Sequence, residues 1–387
     1  MDIRMRTPDE LWEIGSLKWT GIPAKDGSRT LGAWVAEMDF GTAPEVARAI
    51  TKGVDDGLLG YPPTWLQPRV AEATARYQRE RFGWDVAPDQ VRLVASVLPA
   101  LRATIEHFVD DAAPVIVPTP AYMPFLTIPP AMGHPVVEVP SLRGADGRWT
   151  LDVNGIRAAF EAGAGLLILC NPWNPTGRVL TEQELADIHA VVPEDAMVFS
   201  DEIHSPLVLD DQATPFISYA RMGPAYAAHA ITATAASKGW NIAGLPSAQV
   251  ILPDEPLREA WDRFGGEVAH GVTALGTVGA IAAYTGGQPW LDEVRALVRR
   301  NAETVGTGLA GTAVDYCVPE GGYLTFWGFE HAELDDTPYR VLRDRAHVAA
   351  NDGISLGSDY AQWARINLAC SPAVADQILQ GALSILP

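Results

Sequence analysis

One lysine, Lys238, stands in a stretch of small and apolar residues, ATAASKGWNIAGLPSAQVIL at 233–252, that contains no other charged residue. Taking an ammonium group out of water costs free energy, so Lys238 either extends its charge to the surface or performs chemistry. A desolvated lysine can form a Schiff base, act as a general base or contact a phosphate. The lysine alone leaves these alternatives open.

Other polar residues that could take part in catalysis or binding lie where short apolar runs end. They are Ser96 in ASVLPAL, Tyr122 in PTPAYMPF, Asn174 in NPWNPTG, Asp201 in VFSDEIH, Ser237 beside Lys238, and Arg365 in WARINLA. Each residue alone could have an ordinary structural role, such as a helix cap, a buried aromatic residue, a turn former or a member of an ion pair. Together they match what pyridoxal phosphate requires: a carboxylate for the ring nitrogen, a donor for the ring oxygen, helix N–H groups and hydroxyls for the phosphate, an aromatic cover and an arginine for the substrate carboxylate.

The elements that must position these residues follow a regular pattern. Seven short, nearly continuous apolar runs indicate strands covered on both faces; they are VRLVAS, PVIVPTP, HPVVEVP, GLLILCN, AMVFSDE, AITATAAS and SAQVIL. Helical patterns lie between several of them. One follows Ser96, and another begins at a capping box of Thr181 and Glu184 and continues through Val192. The alternation predicts an α/β fold with a mostly parallel sheet covered by helices.

The pattern changes after about residue 286. Apolar residues from Trp290 to Leu309 indicate one long helix, which leads into the strand-like segments GGYLTFWGF and WARINLAC. We therefore predict a large cofactor-binding domain over 49–285. The segments 1–48 and 286–387 are predicted to form a smaller α+β domain.

Composition excludes several classes of function. The 387 residues carry a net charge of −20, which disfavours nucleic-acid and membrane partners. Three separated cysteines, Cys170, Cys317 and Cys370, indicate reduced thiols, and no Cys/His spacing suggests a metal site. The first residues lack the apolar core of a signal peptide. We expect a cytoplasmic protein that acts on a small molecule.

The motifs NPWNPTG, SDEIH, ASKGWNIAG and ARINLA resemble, in order and spacing, those of the fold-type-I pyridoxal-phosphate enzymes, the aspartate aminotransferase superfamily. The resemblance implies that Lys238 binds the cofactor covalently, that Asp201 pairs with the pyridine nitrogen and that Tyr122 stacks on the ring. It assigns the remaining cofactor contacts to Asn174, Ser96, Val97, Leu98, Ser237, His204 and Tyr61. Lys238, Tyr122 and Asp201 are the predicted catalytic residues. Arg365, Asn174 and Trp34 are predicted to bind the substrate.

Further segments are similar to a subgroup, the MalY/PatB-like cystathionine β-lyases (C–S lyases). These segments are LGAWVAEMDFGTAPEV, SVLPAL, GLLGYPP and DEIHSPLVL. Pro246 stands where many aminotransferases have a phosphate-binding arginine, which also favours this subgroup. The sequence departs from the subgroup pattern at Glu37, where aspartate is usual, and at Ser96, where glycine is usual. In the subgroup, the tyrosine matching Tyr61 reaches the cofactor of the neighbouring subunit, which implies a homodimer.

The resemblance implies β-elimination of L-cysteine S-conjugates such as cystathionine, giving a thiol, pyruvate and ammonia. Three alternatives remain at this stage: an aminotransferase, a tailoring enzyme acting on a larger sulfur-containing metabolite, and a cofactor-binding regulatory protein. Trp34, Trp173, Trp240 and Trp363 lie beside the motifs. They either form a wall for a bulky substrate or pack as ordinary core residues.

Overall fold

The computed structural model describes residues 3–387. Within that range the α-helices are α1 Pro8–Ile14, α2 Leu17–Thr20, α3 Pro44–Asp55, α4 Leu66–Phe82, α5 Val97–Phe108, α6 Met123–Ala131, α7 Val153–Glu161, α8 Glu182–His189, α9 Pro224–Ala227, α10 Ala236–Gly239, α11 Glu255–Asp262, α12 Gly265–Val268, α13 Ala274–Gly286, α14 Gln288–Leu309, α15 Pro338–Arg345 and α16 Pro372–Ser384. The strands are β1 Leu31–Gly32, β2 Val91–Val94, β3 Val115–Thr119, β4 Val136–Pro140, β5 Leu142–Arg143, β6 Trp149–Thr150, β7 Leu166–Cys170, β8 Met197–Asp201, β9 Ala230–Thr234, β10 Ala248–Ile251, β11 Leu324–Gly328, β12 Val348–Ala349, β13 Asn351–Asp352 and β14 Trp363–Asn367.

The largest sheet has seven strands in the order β2-β10-β9-β8-β7-β3-β4. The strands from β9 to β4 run parallel, and β10 runs antiparallel to both of its neighbours. These are the seven predicted strands, so the α/β prediction with a mostly parallel sheet is confirmed.

Helices cover both faces of this sheet, which explains the continuous apolar runs. In β7, Leu166 and Ile168 pack in the core that contains residues of α5, while Leu167 and Leu169 pack in the core that contains residues of α7 and α8. Because successive strand residues point to opposite faces, both sets must be apolar.

The two predicted helix starts are confirmed. Ser96 is the N-cap residue of α5, and Thr181 and Glu184 form a capping box at the start of α8. The expected extension of α8 to Val192 is wrong, since α8 ends at His189 and a turn follows.

A second sheet is formed by the C-terminal part of the chain. It has three antiparallel strands in the order β11-β14-β13. The predicted long helix is α14, whose N-terminal half packs in the core beside the large sheet and whose C-terminal half packs beside the small one. One helix therefore contributes to two cores.

The predicted domain limits, 49–285 for the large domain and 1–48 with 286–387 for the small one, stay a proposal. Residues 1 and 2 of that range lie outside the described part of the chain. The proposal is supported by the position of each sheet in a separate range. The pairing of β1 with β12 also joins the N-terminal segment to the C-terminal part.

No helix between residues 3 and 387 is long and apolar enough to cross a membrane.

Candidate active site

A cavity of about 380 Å³ lies at the carboxyl ends of β7 and β8. Ligands of open α/β sheets bind at this edge. The cavity is lined by all the predicted site residues except Tyr61: Trp34, Ser96, Val97, Leu98, Tyr122, Asn174, Asp201, His204, Ser237, Lys238 and Arg365. Residues separated by more than 300 positions in the sequence therefore meet in one place.

Lys238 lies on the short helix α10, directly after β9, and is partly buried. Its Nζ donates to the carbonyl oxygen of Ala36 at 3.2 Å. Burial, with a smaller contribution from the nearby Arg365 charge, lowers the pKa of Lys238 from 10.5 to about 8. At neutral pH the amine is still mostly protonated, but it loses its proton far more readily than an exposed lysine does, as a nucleophile or a general base requires.

Asp201 is the last residue of β8 and is buried. One oxygen accepts the backbone N–H of Ile203 at 3.1 Å. Burial raises the pKa of Asp201 to about 7. A cationic partner in the cavity would lower this pKa and keep the carboxylate charged.

His204 also lines the cavity and is buried. Its Nδ1 has no hydrogen-bond partner within the part of the chain that the structure describes. Burial, together with the charges of Lys238 and Arg365, lowers the pKa of His204 to about 3, so the ring is neutral. Buried polar atoms usually have a partner, and this nitrogen has almost no accessible surface, so it is not exposed to the cavity.

The N-terminus of α5 opens into the cavity through Ser96, Val97 and Leu98. The Ser96 side chain makes no capping hydrogen bond, so its hydroxyl is available to a ligand. The first N–H groups of a helix and its dipole favour an anion. Ser237 adds a second hydroxyl to the lining.

Arg365 on β14 extends into the cavity and is buried. Its guanidinium group donates to Asn174 Oδ1 at 3.2 Å, to the Trp34 carbonyl at 3.1 Å and to Asn351 Oδ1 at 2.5 Å. All three acceptors are neutral. Burial lowers the pKa of Arg365 to about 10, and no carboxylate pairs with it among residues 3–387. A buried cation without a counter-ion is costly, so this site is prepared for an anionic ligand.

Tyr122 is the N-cap residue of α6 and lines the cavity beside Arg365. Burial raises the pKa of the Tyr122 hydroxyl, and the Arg365 charge opposes the shift. The phenol therefore stays protonated at neutral pH and presents a ring and a donor to the cavity.

Trp34 also lines the cavity, and its indole Nε1 donates to the Lys18 carbonyl at 3.1 Å. The other three tryptophans do not line it. Trp173 donates its indole N–H to the Pro120 carbonyl at 2.8 Å, Trp240 packs in the core beside the large sheet, and Trp363 packs in an aromatic cluster with Trp149. These three are ordinary core residues and provide no wall for a bulky substrate.

Several lining residues were missed by the sequence analysis. They are Val35, Ala36, Met123, Cys170, Ile203, Ala243 and Asn351. Val35, Met123 and Ile203 adjoin a predicted residue in the sequence, so adjacency was the available signal for these three. Asn351 had no such signal, because it reaches Arg365 only through strand pairing.

Pro246 does not line the cavity. Its carbonyl accepts the backbone N–H of Thr273 at 2.9 Å and the Thr273 hydroxyl at 3.2 Å. Among the described lining residues, Lys238 and Arg365 carry the positive charge. The contacts that remain for a phosphate are therefore the α5 N–H groups and the serine hydroxyls.

Tyr61 lies outside this cavity and is 94% exposed. It borders a separate open depression together with Leu59, His270 and Thr273. A role for Tyr61 at the cofactor of its own subunit is not supported by this placement. Its predicted contact with a neighbouring subunit stays a prediction.

Comparison with known proteins agrees with this geometry. A sequence model of the family described as "Aminotransferase class I and II" matches residues 35–381. The chain belongs to the class I and II aminotransferase family. Within this family, it is 33% identical to the cystathionine beta-lyase of Corynebacterium glutamicum, over 99% of this chain and 100% of that protein. It is 30% identical to the cystathionine beta-lyase PatB of Bacillus subtilis, over 92% of this chain and 93% of that protein.

A solved family relative gives the same result for the fold. The structure of a PLP-bound C–S lyase from Staphylococcus hominis superposes with a TM-score of 0.85 at 26% identity, covering 92% of this chain and 91% of that one. The resemblance to the fold-type-I superfamily and to its MalY/PatB-like subgroup is confirmed.

Proposed function

We propose that this protein is a pyridoxal 5'-phosphate-dependent C–S lyase. It would break the Cβ–S bond of an L-cysteine thioether and yield a thiol, pyruvate and ammonia. The observation that carries the proposal is the meeting of Lys238, with its lowered pKa, and the uncompensated Arg365 in one cavity. The full-length identity to two cystathionine beta-lyases supports the C–S bond as the one that breaks.

The cavity residues fit the predicted cofactor. The S. hominis relative is PLP-bound, and the cavity holds a lysine, a buried carboxylate, a neutral imidazole ring and a free helix N-terminus. The cofactor prediction is confirmed. When bound, pyridoxal phosphate accepts the electron pair that is left at the substrate Cα.

We assign the contacts as follows. Lys238 would hold the cofactor covalently, and Asp201 would keep the pyridine nitrogen protonated. The α5 N-terminus, with Ser96 and Ser237, would bind the phosphate. Tyr122 would cover the ring. Asn174 would donate to the ring oxygen, and His204 would be a further cofactor contact. The orientation of Asn174 supports its assignment, since its Oδ1 accepts from Arg365 and its Nδ2 therefore points elsewhere.

Arg365 binds the substrate carboxylate and thereby fixes the orientation of the Cα–H bond. Lys238, released from the cofactor when the substrate amine takes its place, then removes the Cα proton, which its lowered pKa permits near pH 8. The buried surroundings of both groups exclude water and strengthen these charge interactions. Loss of the thiolate from Cβ completes the elimination, and the released aminoacrylate then reacts with water to give pyruvate and ammonia.

The deciding experiment compares elimination with transamination. The holoenzyme is incubated with a cysteine thioether, and pyruvate, ammonia and free thiol are measured with and without a 2-oxo acid. We expect the three products in equal amounts without the oxo acid. Turnover that requires the oxo acid and releases no thiol would assign the protein to the aminotransferases instead.

We also propose that the active unit is a homodimer. Leu59, Tyr61 and Trp65 expose 69%, 94% and 42% of their surfaces on one short segment. Exposed apolar residues concentrated in this way are typical of an interface. The proposed partner is a second copy of this chain, in which Tyr61 reaches the neighbouring cofactor.

The predicted cytoplasmic location also stays a proposal. It is supported by Cys170, Cys317 and Cys370, which are all free thiols. Fractionation of expressing cells tests it, and recovery of the protein from the extracellular medium would contradict it.

A further inference from the structure

Asn351 lies beside Arg365 because of strand register. In the antiparallel pair of β13 and β14, Asn351 and Arg365 are directly opposite each other. Opposed residues of such a pair place their side chains on the same face of the sheet. Asn351 is buried, lines the cavity and accepts a hydrogen bond from Arg365 Nη2 through Oδ1 at 2.5 Å.

The chemistry of the two groups fixes the orientation of the Asn351 amide. A guanidinium group has only donors, so the atom that faces it must be the amide oxygen. The Asn351 Nδ2 group therefore points away from Arg365, and it has no acceptor within residues 3–387. An amide with one end anchored on a cation and the other end free beside a cavity can bind a second group.

The absence of a charge on Asn351 matters for the charge state of Arg365. An aspartate in its place would form a buried ion pair with Arg365 and neutralise the charge that an anionic ligand needs. The amide holds the guanidinium group through Oδ1 but leaves its positive charge uncompensated. Asn174 and the Trp34 carbonyl act in the same way on the other N–H groups.

We propose that Asn351 belongs to the substrate-carboxylate subsite: its Oδ1 positions Arg365, and its Nδ2 donates a second hydrogen bond to the carboxylate. This inference rests on the proposed role of Arg365. It explains how a long, flexible side chain is held in one conformation before the substrate arrives, which lowers the entropy cost of binding.

The test uses a ligand that contains the carboxylate but has no amine, so that it cannot react with the cofactor. The dissociation constant of 3-(methylthio)propanoate is measured by calorimetry with the holoenzyme, beside that of the uncharged amide of the same acid. In Asn351→Ala, we expect carboxylate binding to weaken roughly tenfold, as for the loss of one hydrogen bond to a charged group.

Asn351→Asp separates positioning from simple structural support. The new carboxylate competes for Arg365, so the preference for the acid over its amide should fall at least about tenfold. Loss of packing alone would weaken both ligands equally. If Asn351→Asp does not fold, Asn351→Ser, which retains a polar group too short to reach both partners, is expected to lose part of the same preference.

Asn301→Ala is the matched control. Asn301 is also a buried asparagine, and it donates to the Leu368 and Cys370 carbonyls at 3.0 and 2.9 Å away from the cavity. Its substitution should lower the melting temperature and leave the acid-to-amide preference unchanged.

Unchanged acid and amide binding in folded Asn351→Ala and Asn351→Asp proteins would overturn the inference. Failure of the wild-type enzyme to release thiol would overturn the proposed reaction instead, without affecting these binding ratios.

Discussion

Replacing Lys238 with methionine should stabilise the protein once its cofactor has been removed. Below pH 8 the folded chain must keep an ammonium group in a site where the pKa is about 8 instead of 10.5. At about 1.4 kcal/mol per pKa unit, this costs about 3 kcal/mol of folding free energy. Methionine fills a similar volume and removes the cost.

One smaller effect opposes this gain. The hydrogen bond from Lys238 to the Ala36 carbonyl is lost, which costs about 1 kcal/mol. The carbonyl stays partnered, because it also accepts the Tyr323 hydroxyl at 3.0 Å. We expect a net gain of about 2 kcal/mol at pH 7.

The pH dependence provides the sharper test. Because the folded-state pKa lies below the unfolded one, the unfolded chain binds more protons between pH 8 and pH 10.5. The wild-type protein should therefore gain stability across this window, and the advantage of Lys238→Met should disappear near its upper end.

Urea unfolding of both proteins, free of cofactor, at a series of pH values measures the difference directly. Lys52→Met is the control, since Lys52 is exposed and pairs with Asp56 at the surface at 2.7 Å. It should change stability by less than about 1 kcal/mol at every pH. A Lys238→Met protein that is no more stable at pH 7, or whose gain persists at pH 10.5, would refute the reasoning.

Three further predictions test other parts of the molecule. Arg365→Lys keeps the charge but loses the two-point geometry, so KM for a cysteine thioether should rise at least about tenfold while cofactor absorbance is retained; an unchanged KM would make Arg365 structural. Mixing inactive Tyr61→Ala and Lys238→Ala proteins under subunit exchange should restore activity if the site is composite, and a monomeric active enzyme by light scattering would exclude it. Arg178 is 2% exposed and forms ion pairs with Glu184 and Glu320 at 2.6 and 3.1 Å. Arg178→Met should therefore lower the free energy of unfolding, measured in urea, by about 3 kcal/mol. An unchanged free energy of unfolding would show that the charge of Arg178 is not needed.

The sheet was predictable because its strands are buried on both faces. The apolar runs of β3, β7, β8 and β9 have no polar face that could resemble a loop or an amphipathic helix. The helix starts at Ser96 and Thr181 were predictable for a local reason, since capping depends on residues within one turn. The end of α8 before Val192 was not predictable, because the chain forms a turn there although the helical spacing of apolar residues continues.

The candidate site was predictable where its residues end a strand or begin a helix. Asp201 and Ser96 belong to this group. The tryptophans show the limit of this reasoning. Trp34 and Trp240 both stand beside motifs, yet one lines the cavity and the other is in the core. The direction of a side chain depends on packing against distant elements. The position of a residue beside a motif gives no information about that packing.

The amino-acid sequence by itself determined the order of strands and helices, the residue types of the site and the family, because hydrophobic period, caps and motifs are local properties. Only the tertiary structure decided which of these residues share a cavity. It also decided that Arg365 has neutral neighbours, that His204 has an unpartnered nitrogen and that Asn351 faces Arg365. These are properties of distance and register between segments far apart in the chain. Burial, which shifts the pKa of Lys238, exists only after those segments have packed together.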